Sequence, residues 1–281
     1  MKIKDTEISF EVFPPKKDDE FEGVYNVLDS LALLKPGFIS VTYGAGGSRS
    51  KKTLEIASYI QDRLNIAPVV HMTCVGNKES DIKKVIGELK DRKLTSVLAL
   101  RGDRPIDMTD EVFESRDFAH ASDLTAYLKA NTPGLSVWGA CYPEKHFEAE
   151  SMESDLDMLK KKVEAGAESL ISQLFLDNEA YFRFLDMARK RGINVPIHAG
   201  VMPLTSAAQV ERCIGMSATS VPKEYSDIIA KYDNSPEEFR KASLSYTVNQ
   251  INELIENKVD GVHIYSMNKP KTTAEIVEAV S

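Results

Sequence analysis

The chain has 281 residues, 42% of them apolar and 28% charged, a balance that excludes a disordered chain and a length near the roughly 250 residues of one (β/α)8 barrel. Its 35 Lys and Arg against 43 Asp and Glu leave a formal net charge of −8. No nucleic-acid partner is expected, because an acidic chain gains little from counterion release.

From the N-terminus, Met1 to Asp5 lead into no apolar leader core, and no stretch approaches the roughly 18 apolar residues of a membrane span. The first strand candidate is Ile8–Phe13. Phe38–Tyr43, Pro68–Cys74, Ser96–Arg101, Ser136–Tyr142, Ser169–Phe175, Val195–Met202 and Gly261–Ser266 follow, making eight. Between them the apolar spacing turns helical, as in Ser50–Leu64, Glu79–Arg92, Ser151–Ala165 and Asn178–Arg191. Gly166 and Gly192 mark two helix ends. The interval Ser217–Lys258 exceeds a normal connection and predicts an extra helix before a long one at Pro236–Asn257. Strands alternating with helices imply parallel pairing. Near-continuous apolar strands suit burial on both faces. The count of eight favours a closed barrel over an open doubly wound sheet. No linker divides the chain, so residues 1–281 are expected to form a single-domain (β/α)8 TIM barrel. The cysteines Cys74, Cys141 and Cys213 form no C-x-x-C pair. A reducing cytoplasm is therefore expected, and no metal site is predicted.

Such barrels carry their active sites at the C-terminal ends of the strands. Seven of the eight candidates place polar groups in or just after an apolar run: Glu11; Thr42; His71 and Thr73; Arg101, Gly102 and Asp103; Tyr142; Gln173; His263 and Tyr265. A buried polar group costs about 1–3 kcal/mol unless paired, so their recurrence at one end points to a shared pocket. Singly, each has a plainer reading: Glu11 as an ion-pair partner, His71 as a hydrogen-bonded core residue, Asp103 as a loop brace, Gln173 as a strand tie. The turn Gly44-Ala45-Gly46-Gly47-Ser48-Arg49 begins like a dinucleotide fingerprint but has Arg49 in place of the third glycine. It reads instead as a tight loop at the barrel mouth. Asp155 and Lys162 are seven apart on one predicted helix, hence on one face and roughly 10 Å apart along its axis. They are either a solvated face or a pair suited to the ribose and phosphate of a dinucleotide.

Four segments resemble the methylenetetrahydrofolate reductases: Ser9-Phe10-Glu11-Val12-Phe13-Pro14-Pro15-Lys16, Ser40-Val41-Thr42-Tyr43-Gly44, His71-Met72-Thr73-Cys74 and Leu100-Arg101-Gly102-Asp103. His120-Ala121-Ser122-Asp123-Leu124, Tyr142-Pro143-Glu144, Gln173-Leu174-Phe175 and Tyr265-Ser266-Met267-Asn268 continue the likeness in order. The resemblance implies bound FAD and reduction of 5,10-methylenetetrahydrofolate to 5-methyltetrahydrofolate, in one-carbon metabolism and methionine biosynthesis. It makes Glu11 the general acid that protonates N10 as the five-membered ring opens. Asp103 would tune the flavin and help bind folate. Gln173, Tyr265 and Lys269 would contact folate. FAD would be held by Thr42, His71, Arg101, Gly102, Asp103, His120, Ala121, Tyr142, His146, Asp155, Lys161 and Lys162.

The sequence also departs from the family pattern. His120 stands where many relatives carry Tyr, Met158 where an Asn assists FAD, Lys161 where an Arg does, and Lys269 where an Arg lies near folate. Ala207 falls where NADH-using relatives can place a Phe that stacks on the nicotinamide. The resemblance therefore leaves NADH, NADPH or an electron-delivering partner protein as the donor, in a homo-oligomer or hetero-complex. A non-redox barrel lyase or aldolase using Glu11 and Asp103 as an acid/base pair is the alternative from another class.

Overall fold

A computed structural model describes residues 2–15, 21–43, 47–104, 108–217 and 219–280. After a two-residue strand β1 (Lys2–Ile3), eight parallel strands run in chain order. They are β2 (Thr6–Val12), β3 (Phe38–Val41), β4 (Ala67–Thr73), β5 (Ser96–Leu100), β6 (Ser136–Cys141), β7 (Ser169–Ser172), β8 (Ile197–Val201) and β9 (Gly261–Tyr265). Each pairs with the next, and β2 pairs with β9 from Glu7↔Gly261 to Glu11↔Tyr265, which closes the sheet. The expected (β/α)8 TIM barrel is thus the fold. β1 pairs antiparallel with β2 and was not foreseen.

Every predicted strand is present, and each ends one to three residues earlier than its apolar run. The reason lies in the backbone. Thr42 N–H donates to the Val12 carbonyl, Cys74 N–H to Leu100 and Gln173 N–H to Cys141, at 3.0, 3.0 and 2.7 Å. Pairing continues past the regular ladder while the chain turns outward, so the residues remain sheltered without belonging to the strand.

The helices α2 (Gly47–Asp62), α3 (Glu79–Asp91), α6 (Met152–Glu164), α7 (Asn178–Lys190) and α10 (Pro236–Glu256) match the helical periodicity. α1 (Phe21–Ala32), α5 (Ala121–Asn131), α8 (Ala207–Ser217) and α11 (Pro270–Ala279) complete the ring, with a short α4 (Asp110–Glu114) before α5. The extra helix is α9 (Lys223–Tyr232). It packs with α8 and α10 over a separate core of Leu176, Leu204, Val210, Tyr225 and Phe239. Of the Gly-rich turn read at Gly44 to Arg49, residues 44–46 lie outside the described residues, and Gly47, Ser48 and Arg49 belong to α2 rather than to a loop.

Period-two alternation splits the barrel's side chains into two sets. Ile8, Phe10, Val12, Val70, Met72, Val97 and Ala99 belong to the large core shared with the helices. Phe38, Val69, Leu98 and Ile171, with Leu100 and Trp138, form a smaller core inside the barrel. Rings make its floor. Phe38 meets Trp138 edge-on at 4.7 Å and stacks on His263 at 5.3 Å, while Trp138 stacks on His198 at 5.4 Å. Among the described residues, no helix is long and apolar enough to cross a membrane.

Tyr265 bridges this interior, its hydroxyl donating to the Ser172 carbonyl at 2.6 Å. It crosses β8 where Gly200 leaves room; a Cβ there would stand 2.2 Å from the Ser172 oxygen and 2.8 Å from the Tyr265 hydroxyl. Backbone cannot yield as a side-chain tip can. Gly200→Ala is therefore expected to destabilise the fold by about 1–3 kcal/mol or more. Urea unfolding is the check, and a wild-type midpoint would count against the close approach.

Candidate active site

Two cavities open at the C-terminal end of the strands. One, of about 330 Å³, lies in the barrel mouth. Glu11, Thr42, His71, Arg101, Gly102, Asp103, Tyr142, Gln173 and Tyr265 line it over a floor that includes Leu98 and Ile171. The other, of about 280 Å³, is a side groove running out between α5 and α6, bordered by His120, Ala121, Ser122, Asp155, Met158 and Lys162. Arg101, Tyr142 and His146 line both, so the two spaces adjoin. Most of the sequence-derived residues thus gather in one elongated site, with four exceptions. Thr73 lines neither cavity, its hydroxyl donating to the Val75 carbonyl at 3.1 Å, and His263 is fully buried beneath the mouth rather than in it. Lys161 is exposed, with its ammonium near Met158 Sδ, and does not line the groove. It follows Lys160 and precedes Lys162, and a step of one residue turns it about 100° round the helix from Lys162. Lys269 is exposed at the N-cap of α11, 3.4 Å from Thr205 Oγ1, beside the mouth rather than in it.

Glu11 is the penultimate residue of β2 and points inward. Its side chain keeps 20% of its surface open to the cavity and is otherwise enclosed. Enclosure raises its pKa from the usual 4.5 to about 8, against a smaller lowering by the Ser40 hydroxyl 3.5 Å away. His71 Nε2 stands 3.5 Å from Glu11 Oε2. Burial pulls the His71 pKa down to about 3. Near neutrality the contact is therefore a protonated carboxyl beside a neutral imidazole, not an ion pair. Below it, Ser40 Oγ meets His263 Nε2 at 3.1 Å and Ser9 Oγ meets Nδ1 at 2.8 Å. Both ring nitrogens of this fully buried histidine are partnered whichever carries the hydrogen.

The backbone carrying Glu11 is braced from β9's exit. Ser266 Oγ donates to the Glu11 carbonyl at 2.5 Å. Asn268 accepts from the Phe13 N–H and donates to the Phe13 carbonyl at 3.1 and 2.9 Å. Ser40, Ser266 and Asn268 lie in segments that carry the family resemblance, but the sequence assigns them no role. Ser40 had a usable signal, sitting two residues before Thr42 on the same inward face. The bracing contacts had no local signal, because they join segments 255 residues apart.

Gly102 adopts φ +83°, turning the chain sharply after β5 so that Arg101 and Asp103 flank the mouth. In the groove, Asp155 accepts the His146 N–H at 2.9 Å and is half-buried, which raises its pKa. The Lys162 ammonium donates to the Ala140 carbonyl at 2.5 Å, and burial lowers its pKa. Its stem lies over β6 where Gly139 leaves room. Asp155 and Lys162 do share one face, turned to the groove rather than to bulk solvent. The N-terminal end of α5, at Ala121 and Ser122, also faces it. Among the described residues, no group of three or more His, Cys, Asp or Glu could hold a metal ion.

The family profile described as Methylenetetrahydrofolate reductase matches residues 1–281. The 5,10-methylenetetrahydrofolate reductase of Pectobacterium carotovorum subsp. carotovorum is 31% identical over 96% of this chain and 88% of its own length. That of Escherichia coli (strain K12) is 30% identical over the same shares. Methylenetetrahydrofolate reductase (NADH) 1 of Arabidopsis thaliana is 32% identical over 97% of this chain but 48% of its own length, so the chain spans about half of that relative. A solved structure, an uncharacterised protein from Clostridium thermocellum that binds two copies of 5-methyl-5,6,7,8-tetrahydrofolic acid, has a TM-score of 0.68 at 19% identity. The match covers 98% of this chain and 94% of that one, and it supports the fold.

A carboxyl with a pKa of about 8 when folded and 4.5 unfolded holds a proton that the unfolded chain loses between those values. Stability of the ligand-free protein should then fall as pH rises through that window. Glu11→Gln should remove that slope and gain on the wild type toward about pH 9. Parallel unfolding profiles across the window would mean that Glu11 is ionised at neutral pH.

Proposed function

This chain belongs to the methylenetetrahydrofolate reductase family, and from that premise we propose that it reduces 5,10-methylenetetrahydrofolate to 5-methyltetrahydrofolate with FAD bound along the mouth and side groove. The observation that carries the reading is the Glu11 carboxyl enclosed in the wall of the mouth cavity, where burial raises its pKa.

The residues present suit that cofactor. A cavity with apolar walls at Leu98, Leu100, Ala140 and Ile171 continues into a groove that ends at Asp155, Lys162 and the α5 N-terminus. An apolar space for a flat ring thus leads to groups that suit ribose hydroxyls and phosphates. Thr42, His71, Gly102, Asp103, Tyr142 and His146 would border the ring system, and Arg101, at the junction of mouth and groove, would reach the phosphate. His120, Ala121, Asp155 and Lys162 would hold the outer half. When bound, the flavin supplies the hydride.

The chain's own work is proton placement and positioning. Glu11 gives its proton to N10 of the folate as the bond from N10 to the bridging carbon breaks, leaving that carbon as an iminium on N5. Hydride addition there completes the methyl group. A neutral His71 leaves the proton on Glu11 until substrate arrives. Gln173 and Tyr265, which line the same cavity, would orient the pterin, and Asp103 would help bind it. Leu98 and Ile171, which pack with the rings Phe38 and Trp138, form an apolar floor to the mouth cavity. Lys269 at the rim suits an anionic tail of the substrate.

The electron donor is a nicotinamide or an electron-delivering protein. Ala207 begins α8 and packs against the Leu176–Phe239 core, so it offers no aromatic face. Such a face is worth about 0.5–1.5 kcal/mol, roughly two- to tenfold in affinity. Slow flavin bleaching by NADH in stopped flow, with half-saturation above the micromolar range, is the expected result. Rapid bleaching at micromolar NADH would make the isolated chain self-sufficient.

Glu11→Gln should keep FAD and its reduction by an artificial donor, yet lose about 10²–10⁴ in folate turnover. Near-wild-type turnover would remove Glu11 from the reaction. Asp155→Asn and Lys162→Met should weaken FAD in equilibrium dialysis more than they lower the melting temperature of the ligand-free protein. Unchanged affinity in both would return the pair to a structural role.

A further inference from the structure

We propose that Glu148 guards the phosphate end of the site, holding the Arg101 guanidinium until the phosphate of a bound dinucleotide displaces it. The inference rests on the flavin-dinucleotide reading and says how that ligand gains its cation. Arg101 stands where mouth and groove meet and lines both. Both arms of its fork engage Glu148, Nη1 on Oε2 and Nη2 on Oε1, the latter at 3.1 Å. A planar guanidinium takes carboxylate and phosphate in this same two-pronged way, so the two anions compete for one set of donors.

Charge in the groove makes the competition matter. Among its described lining residues the formal cations are Arg101 and Lys162, and the formal anions are Glu148 and Asp155. They cancel. Lys162 is already committed to the Ala140 carbonyl and to the neighbourhood of Asp155. A pyrophosphate entering with Glu148 in place would meet no net positive charge. With Glu148 swung away, Arg101 becomes available.

The two partners are unequally held. The Arg101 side chain is 21% exposed and that of Glu148 50%. Glu148 lies in the loop before α6, its own N–H donating to His146 Nδ1 at 3.2 Å. That backbone contact survives rotation of the carboxylate into water. Arg101 stays and Glu148 leaves.

The test is a fluorescence titration of the ligand-free protein with FAD and with riboflavin, which lacks phosphate. Wild type, Glu148→Gln, Arg101→Gln and the double variant are compared, alongside their melting temperatures without ligand. Removing a partly exposed competing charge should tighten FAD roughly two- to fivefold and leave riboflavin unchanged. The gain should shrink at high salt and vanish in the Arg101→Gln background. The ligand-free melting temperature of Glu148→Gln should stay level or fall. A simple loop prop would instead lower stability and FAD affinity together, and that outcome overturns the proposal. So does an equal gain for riboflavin, or FAD binding that is identical in wild type and Glu148→Gln. Failure of every form to bind FAD overturns the dinucleotide reading and this inference with it.

Discussion

Closing an eight-stranded sheet on itself leaves a lumen that one side chain in two from every strand must fill. In this chain the lower part of that lumen is filled by rings, Phe38, Trp138, His198 and His263. Whatever the same strands place one step higher sits above packed rings rather than above open lumen. Glu11, Ser40, His71 and Tyr265 occupy that step, and their protonation states follow from the enclosure. Desolvation outweighs the hydroxyl of Ser40 at Glu11 and goes unopposed at His71. The two groups move toward neutrality from opposite directions, which turns a would-be ion pair into a neutral contact that still stores a proton.

Position matters as much as charge. The Glu11 backbone is tied to β9 through the ladder with Tyr265, the hydroxyl of Ser266 and, two residues on, the amide of Asn268. The carboxyl is thus carried on regular structure, whereas Arg101, Asp103, His146 and Glu148 lie on connections. A rigid centre surrounded by adjustable loops suits chemistry at one atom and accommodation of ligands of several parts.

Much of this was legible in the chain. Alternating periods gave eight strands, and the polar residues interrupting them marked Glu11, Thr42, His71 and Tyr265, because a buried polar group needs a reason. Strand ends were read too long, since Thr42, Cys74 and Gln173 keep one ladder bond beyond the regular strand. Asp155 and Lys162 were visible by helical spacing, but which way their face turned was not. The helix could equally have shown that face to solvent. Lys161 illustrates the limit: adjacency in sequence means separation around a helix. Partners such as Ser9 with His263, or Arg101 with Glu148, leave no local trace, because no periodicity links residues brought together only by the closed sheet or by a loop.

The seam between β2 and β9 joins the first and last strands of the barrel. Ser9 and His263 are 254 residues apart, and so groups that enclose Glu11 are synthesised well apart in time. Domains of this size assemble as they emerge, N-terminal parts first, and distant pairings come late. Until β9 pairs with it, β2 has an open edge and Glu11 lacks the full enclosure that raises its pKa. The capacity to hold a proton at neutral pH is acquired only once β9 has joined β2.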